Sequence, residues 1–272
     1  MKKGYQNLHT HTTYCDGNAS AEDMIKAAIQ KGGSSIGFSE HSYVMFDEEY
    51  SMSLQDTSSY ISEINNLKEK YNGTIDVYLG LEIDYFTERI PDGLEYIIGT
   101  AHHVEKEGKH ITVDGWVEHL AVMNEMHFGG DYYAMAELYY ATMAGVVEKT
   151  SADIVGHFDL IAKSNVDNRM FDEMHPRYMK AALSAMEQIL EKCRLFEVNT
   201  GAMFRRGTLV PYPSLFLLKE LQKRGGEVIL SSDSHCAESL YYKFDEMTEL
   251  IKSCGFTHIK RFTGDGFVNE KL

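Results

Sequence analysis

Short apolar runs alternate with stretches of helical apolar spacing along the whole chain, and polar or glycine-containing breaks separate them. Tyr5 to Leu8 reads as a first short strand, after which Ser20 opens an amphipathic helix in Ser20-Ala-Glu-Asp-Met-Ile-Lys-Ala-Ala-Ile. The Ser20 hydroxyl can accept from first-turn amides, Asp23 makes a weak form of the capping box, and Gly32-Gly33 stop the helix. Ser35 to Ser39 is the second strand. Beyond an irregular Met- and Tyr-rich stretch, Ile61, Ile64, Leu67 and Tyr71 follow helical spacing up to Asn72-Gly73, a favourable left-handed terminus. Ile75 to Leu79 alternates as the third strand, and Tyr96 to Ala101 makes the fourth.

The segment from Trp116 to Lys149 reads as helical with a break at Gly129-Gly130. Ile154-Val155 is the fifth strand; Pro176 then starts a helix through Lys192, which leads into the sixth strand, Leu195 to Asn199. Pro213 precedes a helix to Arg224, and Gly225-Gly226 turn the chain into Glu227-Val-Ile-Leu, an apolar run of the kind buried in a parallel sheet. A last helix spans roughly Ser239 to Ser253. About seven such alternations point to a barrel-like α/β fold, and a closed α/β barrel commonly takes about 250 residues as one unit. Residues 1–272 are therefore expected to form a single domain, without internal repeat or low-complexity tract.

Composition narrows the partners. Hydrophobic content of 43% and charged content of 25% are ordinary for a globular protein, and only 4 prolines argue against a long flexible linker. The formal charge of −15, from 41 acidic against 26 basic side chains, would repel a long nucleic acid, and no basic cluster offsets it. Small anions stay open as substrates if some of the acids hold divalent cations. Lys2 and Lys3 lead into Gly-Tyr-Gln-Asn rather than an apolar run, and nowhere do about 18 apolar residues follow one another. A cytoplasmic protein with no membrane segment is expected. Cys15, Cys193, Cys236 and Cys254 show no paired spacing and read as reduced thiols, although Cys15 and Cys236 adjoin Asp16 and His235.

The chemistry sits where the strands end. His9, His11, Asp16, His41, Glu82, His102, His157, Asp233 and His235 fall one after another at or just beyond predicted strand termini. In a parallel α/β protein those termini converge on one face. His9 and His11 share a face of an extended chain, so both imidazoles can reach one ion, and Asp233-Ser-His235 repeats that spacing. Glu82 at a barrel rim would be costly to desolvate alone, whereas a carboxylate bridging two cations is compensated. Any one of these histidines could be a hydrogen-bonded core residue, and Glu82 a rim salt bridge. Their recurrence at equivalent positions makes coincidence a poor account. The chain reads as a hydrolase holding several metal ions, with His103, His110, His119, His127, His175 and His258 outside the pattern.

The carrying segments are His9-Thr-His11 with Asp16-Gly17, Ser39-Glu-His41, Gly80-Leu-Glu82, Gly99-Thr-Ala-His102, Gly156-His157, Glu197-Val-Asn-Thr200 and Ser232-Asp-Ser-His235. In kind and order they resemble the polymerase-and-histidinol-phosphatase (PHP) family, and within it the histidinol-phosphate phosphatase branch. The resemblance implies a distorted (β/α)7 TIM-like barrel and three divalent ions. His9, His11, Glu82 and Asp233 would hold one ion, Glu82, His102 and His157 a second, and Asp16, His41 and His235 the third. Asp16 stands where some relatives place histidine. Mixed imidazole and carboxylate ligands suit zinc, iron and manganese alike.

The implied activity is a metal-dependent phosphomonoesterase, acting on L-histidinol phosphate in histidine biosynthesis through a hydroxide that bridges two ions. Glu82 and Asp233 are the catalytic positions, although a metal-bound carboxylate is a poor acid. Phosphoryl transfer needs positioning and charge stabilisation, so a cation beside the metals is expected: Arg205 first, then Arg206, then Lys163. Histidinol carries an ammonium and an imidazole, which predicts an acidic pocket wall. Two other readings stay open: the same metals acting on nucleoside monophosphates or short oligonucleotides, and a non-catalytic metal- or phosphate-binding module.

Overall fold

In a computed structural model, which describes residues 4–47, 49–165 and 168–272, the apolar runs become strands. In chain order these are β1 (Tyr5–Asn7), β2 (Gly33–Phe38), β3 (Asp76–Asp84), β4 (Tyr96–Thr100), β5 (His103–Lys106) and β6 (Lys109–Thr112). β7 (Ile154–Val155), β8 (Leu195–Asn199), β9 (Glu227–Ser231), β10 (His258–Phe262) and β11 (Phe267–Lys271) follow. Lys2 and Lys3 lie outside the described residues.

Seven strands pair in parallel in the order β1-β2-β3-β4-β7-β8-β9. Just beyond the last strand, Ser234 bridges in parallel to Thr10, which follows β1. The His11 amide donates to the Ser234 carbonyl at 2.8 Å, and the Ser234 amide to the His9 carbonyl at 3.0 Å. The sheet thus nearly closes on itself, and it does so at the carboxyl ends of its strands. The alternation of elements points to a barrel-like fold, and this is the distorted seven-stranded barrel that the family resemblance implies.

Helices α1 (Ala21–Gln30), α2 (Leu54–Lys70), α3 (Val117–Phe128), α4 (Tyr132–Ala144), α5 (Val146–Thr150), α6 (Pro176–Leu190), α7 (Gly201–Arg206), α8 (Leu215–Lys223) and α9 (Phe244–Ser253) connect the strands. Ser20 caps α1 through the Asp23 amide at 3.2 Å. The predicted break at Gly129-Gly130 is present, both residues at positive φ, and Gly145 adds a second break between α4 and α5. Four expectations need correction. α2 begins at Leu54, inside the stretch read as irregular, because Ser53 caps it. The last helix starts at Phe244 rather than Ser239, since Tyr241 and Lys243 take left-handed φ values of 62° and 55°. Two antiparallel hairpins, β5–β6 and β10–β11, were not foreseen, and neither was the short α7. Among the described residues no helix is long and apolar enough to cross a membrane.

Tyr96 shows how tightly the barrel is filled. It is 1% exposed, and its hydroxyl lies 2.5 Å from the Leu8 carbonyl and 2.9 Å from that of Phe38. The ring passes so close to β3 that a Cβ on Gly80 would stand 2.2 Å from Tyr96 Cζ. Gly80→Ala should therefore overpack the interior and cost about 1–3 kcal/mol. A lowered thermal midpoint is the expected result, and an unchanged midpoint would show that Tyr96 is free to move aside.

Candidate metal centre

Glu82 sits near the carboxyl end of β3, flanked by β2 and β4, and is 1% exposed. Its Oε2 lies 3.3 Å from His9 Nε2, 3.5 Å from His11 Nε2 and 2.8 Å from His41 Nδ1. Oε1 lies 3.4 Å from His102 Nε2 and 2.9 Å from His157 Nε2. Asp233 Oδ1 completes the group, 3.3 Å from His11 Nε2 and 3.7 Å from His9 Nε2. On the outer side Asp16 approaches His41 Nε2 at 3.6 Å and His235 Nε2 at 3.1 Å. All nine strand-end residues thus gather in one cup.

The donor set fits cations. His9 Nε2, His11 Nε2 and Glu82 Oε2 are buried and have no hydrogen-bond partner. Ligands about 2.1 Å from a tetrahedral ion stand roughly 3.4 Å apart. The spacings of 3.3 Å and 3.5 Å from Glu82 Oε2 to the two imidazoles match that edge. The donor atoms fall into overlapping sets: His9 with Glu82 and His157; His9 with His11 and Asp233; His41 with Glu82 and His102; and His11 with Asp16, His41 and His235.

Charge inside the cup is finely opposed. Burial disfavours the ionised form of Glu82, yet His41, His9 and His102 together hold its carboxyl well below the usual range. Asp233 is likewise held ionised against burial, by Arg205 and His9. Burial and the charges of His235 and His41 push His11 down to about 3, so it stands neutral, the form that ligates. His9 goes the other way, because Glu197, Asp233 and Glu82 outweigh its burial.

An outer layer of carboxylates fixes the rings. Glu197 on β8 lies 2.8 Å from His9 Nδ1 and accepts from the His157 amide, from Asn199 Nδ2 at 2.9 Å and from Ser231 Oγ. Asp84, two places beyond Glu82 on the same face of β3, accepts from the His102 amide at 2.8 Å and lies 3.1 Å from His102 Nδ1. Such partners orient a ring and select its tautomer. Glu40 accepts from the Thr12 amide and hydroxyl and from the Cys15 thiol, which also lies 3.4 Å from His11 Nδ1. Asp233 itself has φ 43°, a strained value for a non-glycine residue that surrounding structure must hold.

Each residue proposed to bind phosphate already has a partner. Arg205, on α7, donates to Asp233 Oδ2 at 2.9 Å and to the Asp233 carbonyl at 2.8 Å, and lies 2.9 Å from His235 Nδ1. Arg206 donates to Ser164 Oγ at 2.9 Å and stacks 4.3 Å over the exposed ring of Trp116. Lys163 pairs with Asp114. His103 turns away from the cup to Asp47, 3.0 Å distant. A cavity of about 610 Å³ stands nearby, lined in part by Asp159, Lys163, Glu173 and Tyr212. Its lining carries two carboxylates, Asp159 and Glu173, beside Lys163, and burial pushes Asp159 up to about 7 and raises Glu173 as well. Asp159 Oδ2 accepts from the Ser214 amide at 2.8 Å, while Oδ1 is buried with no partner among the described residues.

Sequence reasoning gave no role to Asp84, Glu197 or Glu40. Two-residue periodicity from Glu82 would have pointed to Asp84, and the Glu197 motif was visible without its function.

Comparison with known proteins bears on the family and the fold. A family model described as PHP domain matches residues 7–201. The chain is 26% identical over 279 residues to a Schizosaccharomyces pombe protein named "Probable histidinol-phosphatase", covering 92% of this chain and 87% of that one. It is 27% identical over 264 residues to a Deinococcus radiodurans protein of the same name, covering 93% and 94%. The crystal structure of histidinol phosphate phosphatase from Lactococcus lactis, complexed with zinc, L-histidinol and phosphate, shares the fold. That match has a TM-score of 0.72 at 21% identity and covers 98% of this chain and 99% of that one.

If Glu197 orients His9 for a metal, Glu197→Gln should weaken metal binding by about 10–100-fold while leaving the barrel folded. Titration of the metal-loaded protein with a competing chelator measures this, and an unaltered affinity would remove Glu197 from the metal centre.

Proposed function

The chain belongs to the PHP domain family, and on that premise we propose that it is a metal-dependent phosphomonoesterase hydrolysing L-histidinol phosphate to L-histidinol and phosphate. One observation carries the reading. A buried carboxylate, Glu82, and two buried imidazoles, His9 and His11, direct atoms with no hydrogen-bond partner among the described residues at a common space, and divalent cations would satisfy all three at once.

Three ions are proposed: one on His9, His11, Glu82 and Asp233, one on Glu82, His102 and His157, and one on Asp16, His41 and His235. Zinc, iron and manganese all suit these donors, and the Lactococcus relative holds zinc. Bound divalent ions lower the pKa of water at the site and neutralise phosphate oxygens. The chain's own residues do the rest. Glu197 and Asp84 fix the rings of His9 and His102, and Arg205 keeps Asp233 in place. Arg206 and Lys163 supply positive charge at the mouth. The acidic wall made by Asp159 and Glu173 suits the ammonium and imidazole of histidinol. A place in histidine biosynthesis, in the cytoplasm, follows from that substrate.

Turnover of histidinol phosphate, AMP and a trinucleotide by protein reconstituted with each metal tests the substrate. Histidinol phosphate should show the highest kcat/KM, and a clear preference for AMP would overturn the assignment. Glu82→Ala should lose activity and metal together, as elemental analysis of the variant would show; full activity in that variant would refute the shared role of Glu82.

A further inference from the structure

Two phenol hydroxyls at the rim of the cup have no partner among the described residues. Tyr212 is 6% exposed, its oxygen is sealed from solvent, and nothing accepts from it. Its ring centroid lies 6.3 Å from that of His157. The ring is set by a strand: the Asn199 amide donates to the Tyr212 carbonyl at 2.7 Å, and the Tyr212 amide to the Asn199 carbonyl at 3.0 Å. Asn199 is the last residue of β8. The charges that act on Tyr212 are of both signs, Asp114 and Asp159 and then Arg205 and Arg206, and Tyr212 and Asp159 line the same cavity. Tyr50 is the second case. Its ring lies 4.8 Å from His41 and 5.8 Å from His102, and its hydroxyl is also buried without a partner.

A buried donor left without an acceptor is costly, so two beside one cup need an account. Metal ions supply it for His9 Nε2, His11 Nε2 and Glu82 Oε2, since each of those atoms offers a lone pair. They do not supply it for a phenol, which at neutral pH keeps its proton and needs an acceptor. Arg205, Arg206 and Lys163 are all donors and cannot serve; of the nearby carboxylates Asp114 pairs with Lys163, Asp159 Oδ2 accepts from the Ser214 amide, and neither accepts from Tyr212. What is missing is an oxygen-rich anion.

We propose that Tyr212, with Tyr50 as a second donor, binds the phosphoryl group of the substrate by donating its O–H to a non-bridging phosphate oxygen. The inference rests on the phosphoesterase reading but concerns phosphate binding, so it can be tested without turnover. A neutral donor adds a directed hydrogen bond to phosphate without adding charge to a site already crowded with cations.

The test uses zinc-loaded holoenzyme and inorganic phosphate, with Tyr212→Phe and Tyr50→Phe compared with the parent. Calorimetry should show phosphate binding weakened about tenfold in Tyr212→Phe, and less in Tyr50→Phe. Zinc content should be unchanged. The phosphate-free thermal midpoint should be equal or higher, because the substitution removes an unsatisfied hydroxyl. Unaltered phosphate affinity in both variants, or a lower phosphate-free midpoint in Tyr212→Phe, overturns the proposal. Weakened phosphate binding in a protein that fails to hydrolyse histidinol phosphate supports it and rejects the substrate assignment alone.

Discussion

Desolvation of the Glu82 carboxylate is the constraint around which the rest is arranged. An ionised carboxyl group taken out of water is expensive unless opposite charge and hydrogen bonds replace its hydration. Here five imidazoles surround it, those of His9, His11, His41, His102 and His157. Imidazoles alone do not settle the balance, because the same space also holds Asp233, and further buried acids, Asp84 and Glu197, stand behind the rings. Protonating every histidine would satisfy the acids but set like charges against one another; at His11 burial, and then the charges of His235 and His41, lower the pKa. Divalent ions resolve both problems: they match the excess of carboxylates and leave the imidazoles neutral. The strongly negative formal charge of −15 has part of its origin in this cup.

The barrel makes such a concentration of polar groups bearable by supplying each from a different strand end. Glu82 comes from β3 and Glu197 from β8, while His9, His41, His102, His157 and Asp233 lie just past β1, β2, β4, β7 and β9. No one local segment has to bury the whole set. Closure is completed by backbone pairing of Thr10 with Ser234, within two residues of His9, His11, Asp233 and His235. The register of that seam therefore fixes the His9–His11 pair against the Asp233–His235 pair. The left-handed φ of Asp233 is the local strain required to turn its carboxylate inward while Ser234 stays in register.

How much of this was legible follows from which signals are local. Strand periodicity placed His9 with His11 and Asp233 with His235, and apolar runs located all seven barrel strands. His102 and His103 show the finer limit: adjacent residues point apart, and only His103 opens the β5 hairpin, where it meets Asp47. That hairpin was hidden because its strands are four residues each and mostly polar, with only Val104 and Ile111 buried near their middles. Its turn, Glu107-Gly108, takes positive φ at both residues, a geometry that glycine signals but glutamate does not. The start of α9 was misplaced for a similar reason, since Tyr241 and Lys243 adopt left-handed φ values that their side chains do not advertise. Asp84 and Glu197 were missed because partnership with a ring nitrogen is a property of three-dimensional neighbours.

The three cations illustrate why proximity to phosphate chemistry does not give equal roles. Arg205 contacts both the carboxylate and the carbonyl of Asp233 and lies beside His235, so its removal would loosen two of the residues proposed as metal ligands at once. A Cβ on Gly201 would stand 2.9 Å from both Asp233 Oδ2 and Arg205 Nη2, so the first turn of α7 leaves this contact no room to shift. Arg206 and Lys163 are tied instead to the segment between β6 and α3, through Trp116 and Asp114, and Ser164 donates to the Gly115 carbonyl at 2.7 Å. An anion reaching Lys163 must compete with Asp114, which exchanges one negative partner for another with little change in net charge. An anion reaching Arg205 would have to share a guanidinium already committed to the metal ligands. The physical division is therefore between a cation held against Asp233 and His235 and two held against the segment between β6 and α3.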